Sequence, residues 1–110
     1  MCFHCYDSAA NCAARLEQAK RLGYPVWVTE FGRPLDPDLT PRQQAEDTRQ
    51  MVATLEADPQ VERYAYWPAV YRPGLEVPQL FWAPLAQPLV SWDQQTIVGY
   101  ALTEAGEAYR

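Results

Sequence analysis

The chain has 110 residues, 48% of them hydrophobic and 21% charged, which suits one small globular domain or part of a larger one. A net charge of −5 with no basic stripe argues against nucleic acid or an anionic membrane as partner. No apolar run approaches the roughly 18 residues of a membrane span, and Met1 to Tyr6 lacks the basic start and long apolar core of a signal peptide.

Strand and helix patterns alternate along the chain. Cys2 to Tyr6 is a short apolar and aromatic strand, and Asp7-Ser8 starts a helix. From Ala9 to Leu22, small apolar residues recur at Ala9, Cys12, Ala13, Leu16 and Ala19, and Gly23 is placed to end the helix. Pro25 to Phe31 reads as a second, buried strand. Gly32 to Asp38 is a turn region in which Asp36 and Asp38 are turn formers. Thr40, Pro41 and Gln43 spell a capping box with proline at the first helical position. The helix they open buries Ala45, Thr48, Val52 and Leu55, exposes Arg42, Glu46 and Arg49, and ends near Asp58-Pro59. Val61 to Trp67 is a third strand. Pro68 to Pro88 reads as one long proline-rich loop containing Tyr71, Phe81 and Trp82, and a short helix closes the chain through Tyr109. The order β-α-β-α-β-loop-α implies parallel strands covered by helices, either an open doubly wound sheet or part of a (β/α)-barrel. No glycine-rich phosphate loop follows any strand, which favours the barrel.

Chemistry concentrates at the strand ends. Glu30 finishes an apolar strand, where an ionised carboxylate costs several kcal/mol unless it is paired, so it serves catalysis or is satisfied by Arg63 or a loop amide. Strand alternation places Cys2, His4 and Tyr6 on one face, Val26, Val28 and Glu30 on another, and Val61, Arg63, Ala65 and Trp67 on a third. If these faces line a barrel, His4, Tyr6, Glu30 and Trp67 meet at its mouth, where Trp67 offers a flat platform for a sugar ring. Each has a plainer reading as well: His4 as a hydrogen-bonded core residue, and Tyr6, Trp27 and Trp67 as core aromatics. Cys2-x-x-Cys5 with His4 and Cys12 has the spacing of a zinc half-site, but no second ligand pair follows. The expectation is therefore free, buried thiols, no metal and no cofactor, because an odd cysteine count argues against a closed disulfide framework.

The segment Pro25-Val26-Trp27-Val28-Thr29-Glu30-Phe31-Gly32 resembles the nucleophile strand of the Asl-type glycosyl hydrolase catalytic domain, the group that includes the glycoside hydrolase family 128 endo-β-1,3-glucanases. Phe3-His4-Cys5-Tyr6 is similar to that family's His-Trp-Tyr strand, with cysteine in place of tryptophan. Pro59 to Trp67 resembles its last barrel strand, and Leu102 to Tyr109 its closing helix. The resemblance implies that residues 1–110 form the C-terminal part, about strands six to eight, of a (β/α)₈ TIM barrel. It makes Glu30 the nucleophile of a retaining mechanism on β-1,3-glucan, His4 and Tyr6 cleft residues with Tyr6 orienting Glu30, and Trp67 the floor of the sugar site.

Retention needs a second carboxyl roughly 5–5.5 Å away, and in such barrels it comes from an earlier strand. Asp7 is the candidate within the chain, without a supporting pattern. The expected partners are β-glucan polysaccharide and a missing N-terminal barrel half, and the chain alone is expected to have a marginal fold and little or no hydrolysis. The alternatives are a non-catalytic carbohydrate-binding or interaction module and a thiol or zinc protein. A cis Trp67–Pro68 peptide is a further expectation.

Overall fold

The computed structural model describes residues 1–34, 36, 38–67, 86–90 and 97–109, with backbone alone for 86–90 and 97–100. The elements are β1 (Cys2–Cys5), α1 (Ala9–Lys20), β2 (Val26–Phe31), α2 (Pro41–Ala57), β3 (Val61–Tyr66), β4 (Ala86–Val90), β5 (Ile97–Leu102) and α3 (Glu104–Tyr109). The first three strands form a parallel sheet in the order β1-β2-β3, and β4 and β5 form a separate antiparallel pair. The hairpin corrects the sequence reading, which ran one loop through to Pro88. Pro88 instead stands in β4, in register with Tyr100, and a two-stranded ribbon tolerates proline because each strand has a free edge. Tyr71, Phe81, Trp82 and the Trp67–Pro68 peptide fall outside the described residues.

Local signals set both long helices. Ser8 caps α1, its hydroxyl accepting from the Asn11 amide, and Gly23 ends the turn beyond it at φ 74°, its N–H donating to the Lys20 carbonyl at 2.9 Å. Thr40 and Gln43 close the capping box of α2. Each satisfies amide groups that the first helical turn leaves without partners.

One core lies between the helices and a single face of the sheet. Val26, Val28, Phe31 and Cys5 pack with Cys12, Leu16 and Ala19 of α1, Met51 and Leu55 of α2, and Ala105 of α3. The inner face of α2 is Gln44, Ala45, Thr48, Met51 and Leu55, with Val52 half-buried. Phe31, Tyr64, Tyr66 and Tyr109 meet through ring contacts with centroids 5.3–6.3 Å apart. Helices on one face, against strands added in chain order, do not make the two helical layers of a doubly wound sheet. The other face carries Trp27, Arg63, Ala65 and Trp67, all exposed. Among the described residues the outer edges of β1 and β3 pair with no further strand.

The cysteines depart from expectation. Cys5 and Cys12 form a disulfide between the end of β1 and the first turns of α1, and only Cys2 is a free thiol, exposed. An odd count does not prevent one bridge, and both partners lie on inward faces that the packing of α1 on β1 brings together. Among the described residues no cluster of three metal-ligating side chains occurs.

Candidate active site

A bulge in β2 decides where Glu30 points. Along β1 and β2 the register runs Cys2↔Trp27, Phe3↔Val28, then His4↔Glu30 and Cys5↔Phe31, skipping Thr29. The β2–β3 ladder breaks over the same stretch, between Val28 and Phe31. Regular alternation would leave Glu30 on the face of Val26 and Val28, both fully buried against the helices. The extra residue instead turns Glu30 to the face of His4 and returns Phe31 to the core. Strand alternation therefore misassigned Glu30, and the bulge is what joins it to His4. A second irregularity, between Val26 and Trp27, leaves Val61 against the core while Arg63, Ala65 and Trp67 share the open face.

His4 Nδ1 lies 3.7 Å from Glu30 Oε2, with the two side chains 51% and 34% exposed. That is a contact between partly solvated groups. The Tyr6 ring stands edge-on to His4 at 6.0 Å. Arg63 turns away and donates to the Glu62 carbonyl at 2.8 Å, so the plain reading of Glu30 as an Arg63-bonded carboxylate does not hold. Trp27, also on the open face, donates its indole N–H to Glu62 at 2.8 Å. The buried carboxylate foreseen from the sequence is thus a half-exposed one beside an imidazole.

Backbone contacts bind the three strand ends together beneath these side chains. Gly32 N–H donates to the Cys5 carbonyl at 3.2 Å, and Trp67 N–H donates to the Phe31 carbonyl at 2.7 Å. A Cβ on Gly32 would stand 2.3 Å from the Trp67 carbonyl oxygen. Glycine is required there by the close approach of β3. Trp67 itself is 51% exposed and emerges at the open end of β3.

Asp7 is committed elsewhere. It accepts from the Ser8 amide at 2.7 Å and the Asn11 amide group at 2.8 Å, with Arg15 at 3.4 Å. The Asn11 hydrogen bond first, then the Ser8 amide and the charges of Arg15 and Arg33, hold its carboxyl below the ordinary value. A general acid needs the opposite shift.

The sequence reading missed the ion pairs around Arg33. This guanidinium, immediately after Gly32, meets Asp36 at 3.0 Å and Asp47 at 3.2 Å. Asp47, on α2, also accepts the Ala9 N–H of α1 at 3.0–3.1 Å. Its place on the helix face between the buried Gln44 and Thr48 was a signal available in the sequence, though not its partners.

Compared with known proteins, residues 1–109 match the family model described as glycosyl hydrolase catalytic core. The chain belongs to that family. No curated protein and no solved structure matches it significantly. A glycosyl hydrolase catalytic core takes a carbohydrate substrate, and an open face with a strand-end carboxylate, an imidazole and an exposed indole is chemically suited to one.

Proposed function

We propose that this glycosyl hydrolase chain forms strands six to eight of a (β/α)₈ barrel and carries the nucleophile of a retaining hydrolase acting on β-1,3-glucan-type polysaccharide. The observation that carries the reading is Glu30, turned by the β2 bulge onto the open face beside His4 at the C-terminal end of the middle strand. Active sites of such barrels lie at that end of the strands. The resemblance of Trp27 to Gly32 and of Phe3 to Tyr6 to the Asl-type group supports the finer assignment of linkage and mechanism.

In this reading a Glu30 oxygen attacks the anomeric carbon from the face opposite the leaving oxygen. A second carboxyl protonates that oxygen as the glycosidic bond breaks, leaving a glycosyl ester on Glu30. The second carboxyl then takes a proton from water, which attacks the ester and restores Glu30. His4 and Tyr6 line the cleft and hold the carboxylate's direction, while the Trp67 indole supports the sugar ring from below. In this reading the acid/base lies on strands beyond the described sheet; Asp7 is engaged at the start of α1, its carboxyl held below the ordinary value first by the Asn11 hydrogen bond. Three strands cannot close a barrel, so catalysis requires the remaining strands.

The test is Glu30→Gly in the chain assembled with those strands. Loss of laminarin hydrolysis, with azide restoring turnover and yielding a glycosyl azide of inverted anomeric configuration, supports the proposal. Undiminished hydrolysis by the variant contradicts it. The alternative, a carbohydrate-binding module, predicts laminarin binding without turnover in the assembled barrel, weakened by Trp67→Ala.

A further inference from the structure

We propose that Arg33 and Asp47 act as a positioning pair that sets the Glu30 carboxylate against His4, an inference that rests on Glu30 being the reactive carboxylate. Three observations converge on the pair. Arg33 follows Glu30 by three residues in the segment leaving β2, and Asp47 binds both its guanidinium and the Ala9 amide. Ala9 in turn follows Tyr6 by three residues in the segment leaving β1. One side chain of α2 therefore joins the two backbone segments that carry the site.

The surroundings leave these segments little freedom. Gly32 is closed against the Trp67 carbonyl and bonded to Cys5, so the stretch from Glu30 to Arg33 is fixed at Gly32 by backbone. At Arg33 it is fixed by charge, because Asp36 and Asp47 both pair with the guanidinium. The Cys5–Cys12 bridge holds the other segment to α1. A cavity of about 10 Å³ lined by Asp7, Gly32, Arg33, Asp47 and Thr48 is what remains between them, room for at most one water. The Arg33 and Asp47 side chains are 22% and 15% exposed. An ion pair this far from solvent adds little stability over apolar packing, and its directional bonds are the feature apolar side chains would not supply.

His4 is the sole histidine of the chain, so its imidazole gives an unambiguous NMR signal beside Glu30. In the 110-residue chain labelled at histidine, Glu30→Gln defines the imidazole shift that follows loss of the contact. Asp47→Asn keeps an acceptor for Ala9 and removes the charge facing Arg33. It is expected to move the His4 signals at least halfway to their Glu30→Gln positions while the chain stays folded, and Arg33→Lys to retain most of the wild-type position. Leu55→Val, which thins the core near the start of β3, is expected to lower the melting temperature and leave His4 in place. If Asp47→Asn does not fold, Arg33→Gln is read in the same way. A His4 signal unmoved by loss of the pair, or moved equally by Leu55→Val, overturns the proposal. The signal is read without turnover, so this outcome is independent of whether Glu30 attacks a sugar.

Discussion

Gly32→Ala tests the joint beneath the site most sharply. The added Cβ would lie 2.3 Å from the Trp67 carbonyl oxygen, whereas ordinary contact begins near 3.4 Å. The obstacle is backbone, so no rotamer relieves it, and β2 and β3 must part by about 1 Å at their C-terminal ends. That strains the Trp67 N–H to Phe31 carbonyl bond, 2.7 Å in the native chain. Overpacking of this kind costs about 1–3 kcal/mol, and a lost hydrogen bond about 0.5–1.5 kcal/mol more. A loss of about 2–4 kcal/mol in a domain of this size lowers the melting temperature by roughly 10–20 °C. Calorimetry or circular dichroism on the two chains reads it directly. A variant melting within about 3 °C of the native chain would refute the argument that β3 approaches Gly32 too closely for a side chain.

Three further outcomes follow from the same contacts. Reducing the Cys5–Cys12 bridge, which spans a separation of 7 residues, is expected to cost about 2.5 kcal/mol by loop entropy. Alkylation before reduction should modify Cys2 alone, and modification of all three cysteines at that stage would contradict the bridge. The Asp58 carboxyl is held below its ordinary value, first by the hydrogen bond from Lys20 at 2.6 Å. Its stabilisation is therefore present above about pH 4 and is lost as pH falls through the lower folded value. The gap in melting temperature between native chain and Asp58→Asn should close on acidification, and a gap constant from pH 7 to pH 3 would be the contrary result. Burial first, then its hydrogen bond to Glu56, pushes the Tyr64 phenol up to about 12. Its contribution is whole below about pH 10 and is lost as pH rises toward 12. Tyr64→Phe should remove a late step from the tyrosinate absorbance titration, and an unchanged titration curve would speak against this assignment.

Local chemistry made much of the fold legible. Thr40, Pro41 and Gln43 announced α2 because a capping box is satisfied within four residues, and Gly23 marked the end of α1 for a similar reason. The β-α-β-α-β order followed from periodicity. What escaped depended on partners distant in sequence. The bulge at Thr29 arises where β2 must match β1 and β3 at once, so alternation along β2 alone put Glu30 on the face of Val26 and Val28, which is buried against the helices. It still expected His4 beside Glu30, a contact observed at 3.7 Å, through a regular geometry that β2 does not have. The Cys5–Cys12 bridge and the Asp47 bonds depend on how α1 and α2 settle on the sheet, which residue spacing does not reveal. The pairing of β4 with β5 was hidden in part by Pro88, since proline in a short run reads as loop until its register partner is known.

The central claim is that Glu30 forms a covalent bond with sugar. A 2-deoxy-2-fluoro-β-glucoside or laminaribioside with an activated leaving group, incubated with the chain assembled into its barrel, traps that bond because the fluorine slows hydrolysis of the ester. Peptide mass spectrometry is expected to find one added glycosyl unit on Glu30, within Trp27 to Arg33. A glycosyl unit on any other carboxylate, with Glu30 unmodified, would contradict the account.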